Sequence, residues 1–175
     1  MINTWFEAFL FFLPAGLANM APVLFNKVPL YNKWDTSLDF GKSFRGKRIF
    51  GDNKKWRGLI AGVAVGKLAG IIIFPHLFPE MSYFWHAWLG ALLGFGALMG
   101  DAVESFFKRQ VGKKPGDAWF PFDQTDYIIG GLLAASVMVP LNHWWQAGSI
   151  LVIYFGLHLI VSYIGHHLKF KDKPI

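Results

Sequence analysis

The chain has 175 residues, of which 54% are hydrophobic and only 16% are charged, and its net charge is +6. Soluble domains carry about 25% charged residues, so this composition favours a membrane protein. The sequence contains no cysteine, which excludes disulfides, thiolate metal sites and thiol nucleophiles.

Five apolar segments follow one another along the chain. A membrane-spanning helix needs about 20 mostly apolar residues, and the sequence predicts such helices at about 5–25, 58–78, 83–106, 127–145 and 149–168. The last two would form a tight hairpin, because only residues 146–148 separate them. We therefore predict an all-α integral membrane protein, a single polytopic domain over residues 1–175 with two polar loops at 26–57 and 107–126.

Basic residues alternate between the two sides of these segments. Nine lie in 26–57, four in 107–126 and three in the tail, whereas the connections at 79–82 and 146–148 have none. By the positive-inside rule, both loops and the C-terminus are cytoplasmic and the N-terminus is outside. We therefore expect a protein of the cell membrane whose polar groups face the cytoplasm, where nucleoside triphosphates occur.

Carboxylates occur in two pairs near that face. Asp101 and Glu104 lie near the end of the third helix, and Asp123 and Asp126 lie at the start of the fourth. Residues three apart share a helix face, so packing of the two helices would bring these groups together. Carboxylate oxygens are the ligands that Mg²⁺ prefers. For Asp123 and Asp126 the alternative is a helix cap and a favourable first-turn charge. Asp101 lies in an apolar helix, where an ionisable group indicates function.

Cations flank these carboxylates in both loops. Lys108 and Arg109 suit either phosphate binding or contact with anionic lipid headgroups. In the first loop Gly46 and Gly51 lie among Lys and Arg residues, a pattern that allows close approach of a phosphate. Adsorption of this basic loop on anionic lipid is the alternative interpretation.

The second helix has glycines at four-residue spacing, namely Gly58, Gly62, Gly66 and Gly70. Such a ridge favours close helix packing within one chain or between chains, which leaves the oligomeric state open, or else a groove for a lipid chain. Lys67 would lie roughly 15 Å deep in this helix, so we expect it to face a polar cavity or a carboxylate.

The chain resembles the CDP-archaeol synthase family, relatives of the CDP-diacylglycerol synthases, in three ordered blocks. The first is Ala18-Asn19 with Pro22. The second runs from Leu38-Asp39 through Phe44-Arg-Gly-Lys-Arg48 to Trp56-Arg-Gly58. The third combines Gly100-Asp101, Ser105, the Lys108-Arg109 pair, and Asp123 with Asp126. Lys55 stands where the family commonly has Thr, and Gln110 where a basic residue often follows Lys-Arg.

The resemblance implies transfer of a cytidylyl group from CTP to 2,3-bis-O-(geranylgeranyl)-sn-glycerol 1-phosphate, giving CDP-archaeol and pyrophosphate, with Mg²⁺ as cofactor. It implies Asp101, Asp123 and Asp126 as metal ligands and catalytic residues, with Lys108 also catalytic. The implied residues for CTP and phosphate binding are Asn19, Lys47, Arg48, Lys54, Arg57, Ser105 and Arg109. The expected partners are CTP, the lipid phosphate and the bilayer, and no nucleic acid.

Three other functions fit parts of the sequence. A CDP-diacylglycerol synthase acting on phosphatidic acid would use the same headgroup chemistry. A small transporter could use Lys67 and the carboxylates as an ion path, although the polar residues gather on one side only. A non-catalytic scaffold subunit could use the glycine ridge, but it would leave the two aspartate blocks unexplained.

Overall fold

The computed structural model describes residues 2–26 and 33–167, and this part of the chain forms five helices and one short hairpin. The helices are α1 (Trp5–Phe25), α2 (Trp56–Leu77), α3 (Tyr83–Gln110), α4 (Phe122–Ala135) and α5 (Trp144–His167). The antiparallel strands β1 (Ser43–Phe44) and β2 (Lys47–Arg48) pair in the loop between α1 and α2, with Ser43 opposite Arg48. All helices except α4 are long and apolar enough to cross a membrane. The predicted all-α integral membrane class is confirmed.

Local sequence signals set the ends of the long helices. Thr4 caps α1 in a capping box, in which its side chain accepts from the Glu7 amide and the Glu7 carboxylate accepts from the Thr4 amide. Ser82 caps α3 by accepting from the Trp85 amide. α1 covers the residues predicted from the sequence, and α2 begins two residues earlier than predicted. Residue 168, the last of the predicted fifth helix, and the basic tail lie outside the described residues.

The predicted fourth helix at 127–145 was wrong at both ends. α4 begins at Phe122 and ends at Ala135, so its 14 residues span only about 21 Å. Pro140 explains the early end, because proline has no amide hydrogen and disfavours helical geometry at the preceding residue. The amides of Met138 and Val139 instead close turns on the Ala135 carbonyl. The predicted hairpin at 146–148 is therefore absent, since α5 already begins at Trp144 and runs through these residues.

The glycine ridge of α2 packs against α3 within the chain. A Cβ atom placed on Gly66 would lie 2.5 Å from the Gly90 carbonyl oxygen, and one on Gly70 would lie 2.5 Å from the His86 carbonyl oxygen. The two backbones therefore touch, which only glycine permits. The ridge has no room for a lipid chain, so that alternative is excluded for this surface.

A second glycine contact joins α3 to α4. A Cβ atom on Gly96 or Gly100 of α3 would collide with the α4 backbone at Gly130 or Asp126. α3 is thus the central helix, with α2 and α4 held against it at backbone contact. The fully buried core around α3 includes Phe12, Leu93 and Ile150.

Lys67 does not face the interior. Its side chain is exposed on the outer face of α2, beside the exposed apolar residues Ile60, Leu68 and Ile72. We expected Lys67 to face a polar cavity or a carboxylate, and this was wrong. Among the residues that the structure describes, Lys67 forms no ion pair and lines neither of the two cavities next to Asp101. Lys67 lies three residues after the exposed Ala64, so the side chains of Ala64 and Lys67 share a helix face. That face points away from the glycine ridge.

Candidate active site

Three carboxylates converge where α3 and α4 meet. Oxygen atoms of Asp101, Glu104 and Asp126 all lie within 4.8 Å of one another, and Glu104 is 7% exposed. The close contact of Gly100 with the Asp126 backbone produces this convergence, because it removes the side-chain layer that normally separates two helices. The helix packing thus places acidic groups from two elements around one point.

Two lysines from different elements neutralise part of this charge. The Lys54 ammonium lies 2.5 Å from Asp101, and the Lys108 ammonium lies 3.1 Å from Glu104. Lys108 also pairs with Asp123, whose other oxygen accepts from the Trp119 amide. The Oε1 atom of Glu104 is buried and makes no hydrogen bond within the described residues, despite its proximity to Lys108. A further cation at this oxygen would share it with the Lys108 ammonium.

The first loop folds over the C-terminal end of α3. The Lys47 ammonium donates to the Gln110 carbonyl over 2.5 Å, and the Phe44 ring packs on that of Phe106 at 5.9 Å. Gly51, with φ of 90°, lies against the Arg109 side chain. The described part of the loop is consequently held against α3, beside the carboxylates.

Asp39 is the centre of this loop. Its fully buried carboxylate accepts from the Gly41, Phe50 and Gly51 amides at 2.9–3.0 Å and from Arg48 at 2.7 Å. Burial alone would raise the pKa of Asp39, but Arg48 and the three amides outweigh it and lower the pKa to about 2. Arg48 also pairs with Asp52, and the two carboxylates raise the pKa of Arg48. The guanidinium of Arg48 is therefore engaged in shaping the loop.

Two other predicted cations are buried beside the loop. Arg57, at the start of α2, donates to Asn26 over 3.2 Å and lies 3.6 Å from Asp35. The pKa of Asp35 is lowered by its hydrogen bond from Lys55 and by the charges of Lys55 and Arg57. Arg109 donates to the Lys114 carbonyl over 3.0 Å, and its Nε is buried without a hydrogen bond to the described residues.

Two cavities meet at Asp101. The first, of about 590 Å³, is an apolar groove between α1 and α5 that reaches Asp101, Asp123 and Asp126, and Asn19 lies in its wall. The second, of about 210 Å³, is a polar pocket between the first loop and α2 that includes Lys54 and Arg57. The rim of the groove consists of exposed apolar side chains, including Leu24 and Val161. The arrangement can thus accept an amphipathic molecule on one side of Asp101 and an anionic one on the other.

The carboxylate cluster in the structure differs from the set of acidic residues predicted from the sequence. Glu104, and not Asp123, joins Asp101 and Asp126 in the carboxylate cluster, while Asp123 pairs with Lys108. The shared face of Asp101 and Glu104 was the signal for Glu104. Ser105 is buried on α3 next to this cluster. Lys47 and Arg48 contact the protein itself, and Asn19, Lys54 and Arg57 line the cavities.

Known proteins match this chain over nearly its whole length. A family model described as "CarS-like: CDP-archaeol synthase" matches residues 1–175. A CDP-archaeol synthase of Pyrococcus furiosus is 38% identical, over 96% of each chain, and one of Methanoculleus marisnigri is 34% identical, over 93% of this chain and 99% of the relative. A solved structure, titled "Structural insight into an intramembrane enzyme for archaeal membrane lipids biosynthesis", superposes with a TM-score of 0.78 at 29% identity, over 91% of this chain and 95% of the other.

The fold and the site therefore define an integral membrane enzyme, with carboxylates and lysines gathered where a lipid-facing groove meets a polar pocket. The chain belongs to the CDP-archaeol synthase family, as its sequence resemblance implied, and is a membrane cytidylyltransferase that forms CDP-archaeol.

Proposed function

We propose that the protein transfers the cytidylyl group of CTP to 2,3-bis-O-(geranylgeranyl)-sn-glycerol 1-phosphate at the Asp101 junction, on the cytoplasmic side of the membrane. The observation that carries this proposal is that Asp101 lines both cavities and belongs to the carboxylate cluster. The lipid phosphate would arrive through the groove, and the triphosphate of CTP would occupy the polar pocket. The distribution of basic residues supports the orientation.

The reaction needs little acid–base chemistry. A phosphate oxygen of the lipid attacks the α-phosphorus of CTP, a new P–O bond forms, and the bond to the β-phosphate breaks to release pyrophosphate. Because the nucleophile is already anionic, the protein has to position two anions and offset their repulsion. Lys54 and Arg57 line the polar pocket and would bind the triphosphate. Lys108 holds Asp123 and Glu104 in place.

The donor set at the junction fits Mg²⁺. It offers three carboxylates with oxygens within 4.8 Å of one another, and a buried Glu104 oxygen that makes no hydrogen bond to the described residues. Hard oxygen ligands of this kind suit Mg²⁺, which also keeps waters and binds substrate phosphates. Bound there by Asp101, Glu104 and Asp126, the ion would supply charge neutralisation at the reacting phosphates.

The groove gives the lipid chains a path to the bilayer. Its walls are formed by α1 and α5, and the side chains of Leu17, Met20 and Val161 are about 40% exposed where they face the surrounding lipid. A lipid could therefore enter sideways with its phosphate directed at Asp126 and its chains left among apolar side chains. The chains would exchange one apolar surrounding for another, so the groove would admit them at little cost and the headgroup contacts would supply most of the affinity.

The test is incorporation of labelled CTP into lipid by the purified protein. Parallel reactions contain the geranylgeranyl ether phosphate or phosphatidic acid, with Mg²⁺ or with excess EDTA. We expect transfer to the ether lipid, dependence on Mg²⁺, and a loss of at least 100-fold in Asp126→Asn, since one ligand of the cluster is removed. The exposed Glu80→Gln is the matched acidic control and should retain wild-type activity.

Each arm contradicts a different part of the proposal. Equal transfer to phosphatidic acid would overturn the lipid substrate and retain the chemistry. Full activity in EDTA would overturn the metal. Absence of transfer to either lipid, from protein that elutes as a folded species, would overturn the reaction itself.

A further inference from the structure

Residues 40–47, which contain the β1–β2 hairpin, form a continuous exposed stretch of the first loop. Lys42, Arg45 and Lys47 give this segment three positive charges, and it contains no acidic residue. None of the three cations forms an ion pair with the described part of the chain, although the Lys47 ammonium donates to the Gln110 carbonyl. The segment therefore presents positive charge that no carboxylate of the described residues balances.

Two aromatic residues hold this segment against the ends of α2 and α3. The Phe40 ring lies 5.9 Å from that of Trp56, the first residue of α2. The Phe44 ring lies 5.9 Å from that of Phe106 on α3. Both rings nevertheless keep a large exposed fraction, 65% for Phe40 and 46% for Phe44. The Arg45 guanidinium lies 5.3 Å over the Phe44 ring, so a cation and an apolar ring are exposed side by side.

The exposed apolar surface of α3 leads directly to the segment. Val103, Phe107 and Val111 are 47%, 52% and 63% exposed, and their four-residue spacing places them on one stripe. Exposed apolar side chains on a helix that spans a membrane contact lipid. The Phe107 ring lies 5.5 Å from that of Phe106, which in turn contacts Phe44. The segment is thus continuous with a surface that faces the bilayer.

The height of these contacts along α3 matches the headgroup region of a bilayer. Phe106 lies 23 positions after Tyr83, the first residue of α3, which is about 35 Å along the helix axis. The hydrocarbon core of a bilayer is about 30 Å thick, or about 40–45 Å with the headgroups included. If α3 enters the hydrocarbon at Tyr83, Phe106 and the neighbouring Phe44 lie among the headgroups of the opposite leaflet. Aromatic and cationic side chains are enriched at that level.

We propose that residues 40–47 bind the anionic headgroups of the surrounding bilayer. The cations of the segment pair with lipid phosphates, and the rings of Phe40 and Phe44 lie between the headgroups. Positive charge without a balancing acid favours an anionic lipid surface over a zwitterionic one. No residue of the segment lines either cavity, so this contact is separate from the groove and the polar pocket. The same loop brings Lys54 to Asp101, so the bilayer provides a second anchor for the loop.

The test measures where a nitroxide on the segment lies. The chain has no cysteine, so Ser43→Cys gives a single labelling site at an exposed position. The labelled protein is reconstituted into nanodiscs of phosphatidylcholine, alone or mixed with phosphatidylglycerol. Collisions of the nitroxide with oxygen, which concentrates in lipid, and with a water-soluble nickel complex give the ratio of bilayer-shielded to water-exposed label. Asp52→Cys provides the reference label outside the segment, because its side chain is 77% exposed in the same loop.

Two variants with the same label separate charge from apolar contact. Lys42→Gln combined with Arg45→Gln removes two positive charges from the segment. Lys113→Gln combined with Lys114→Gln is the matched control, since it removes the same charge from the second polar loop. Phe40→Asn removes a ring, and asparagine tolerates the positive φ of 51° at this position.

We expect the label on the segment to be shielded in nanodiscs that contain phosphatidylglycerol. The shielding should be lost at about 1 M salt, where the Debye length falls to about 3 Å. The double charge variant should lower the ratio of shielded to exposed label roughly 30-fold, because each cation near an anionic surface favours contact roughly fivefold. Phe40→Asn should lower it about tenfold in both lipid compositions.

The matched control and the reference label decide whether the effect belongs to this segment. The control pair at Lys113 and Lys114 should leave the shielding unchanged, and the label at Asp52→Cys should stay accessible to nickel in both lipid compositions. Equal nickel access to the segment label in both compositions would overturn the proposal. An equal loss of shielding in the control pair, or equal shielding of the reference label, would overturn it as well.

Discussion

The buried Asp39 allows a quantitative test of how the first loop is held. In Asp39→Asn the charge is lost, and one oxygen that accepts from neighbouring donors becomes an NH₂ group facing donors. The pKa of Asp39 falls from 3.8 to about 2 in the folded loop. At about 1.4 kcal/mol per pKa unit, the ionised form stabilises the closed loop by about 2–3 kcal/mol. Removal of this stabilisation should raise the population of the open loop roughly 60-fold.

Hydrogen–deuterium exchange of residues 38–55 measures this population directly. The amides of Gly41, Phe50 and Gly51 donate to Asp39, so they should exchange up to roughly 60-fold faster in Asp39→Asn. Asp52→Asn is the matched control. Asp52 pairs with the same arginine at 2.6 Å, but its side chain is 77% exposed, and exposed pairs contribute little. Equal exchange in Asp39→Asn and wild type, or equal acceleration in both variants, would refute the reasoning.

The same carboxylate sets a pH dependence of known sign. A depressed pKa means that the stabilisation is present above the unfolded-state value of 3.8 and is lost as the pH falls from 3.8 through about 2. Protection of the loop, corrected for intrinsic exchange, should therefore be constant from pH 7 to pH 5 and fall below pH 3.8. Asp39→Asn should show no such fall in this window, and a fall of equal size there would assign the effect to another group.

Three further outcomes follow from the fold. Gly66→Ala should destabilise the protein by about 1–3 kcal/mol, seen as a lower Tm in detergent, because its Cβ meets the α3 backbone, whereas Gly156→Ala, with no heavy atom within 4 Å, should not. Lys67→Leu should leave cytidylyl transfer unchanged, since the lysine lines neither cavity, and a tenfold loss would contradict that. The chain has no cysteine, so a single introduced cysteine can be labelled selectively. Asp52→Cys should react with an impermeant maleimide only from the cytoplasmic side, and Glu80→Cys only from outside. The reverse labelling pattern would show that the topology is inverted.

The long helices could be predicted because their length and hydropathy are properties of the local sequence. The prediction for α4 failed where a single residue, Pro140, outweighed an apolar segment that would otherwise have continued. Hydropathy measures compatibility with lipid and does not register the missing amide of proline. Proline alone is not a sufficient signal, because α1 continues through Pro14 and Pro22 and α2 contains Pro75.

The carboxylate cluster could be predicted only in part, for a geometric reason. The spacing of Asp101 and Glu104 fixes their shared face on one helix, but it does not state which residue of a neighbouring helix that face meets. The close contacts of Gly96 and Gly100 with α4 decide this, and they bring in Asp126 while Asp123 turns to Lys108. The role of Arg48 depended likewise on a buried acid nine residues away, which no local pattern identifies.

Under the proposed function, the charges at the junction favour a divalent cation over a third lysine. Four carboxylates meet there, and two lysines pair with them, one from the first loop and one from α3. If all four acids are ionised, a net charge of about −2 remains, and it faces two substrates that are themselves anions. A divalent ion balances this charge and can bind phosphate oxygens at the same time, whereas a lysine would supply half the charge and no coordination. This division of charge predicts that loss of Lys54 raises the KM for CTP more than the KM for the lipid.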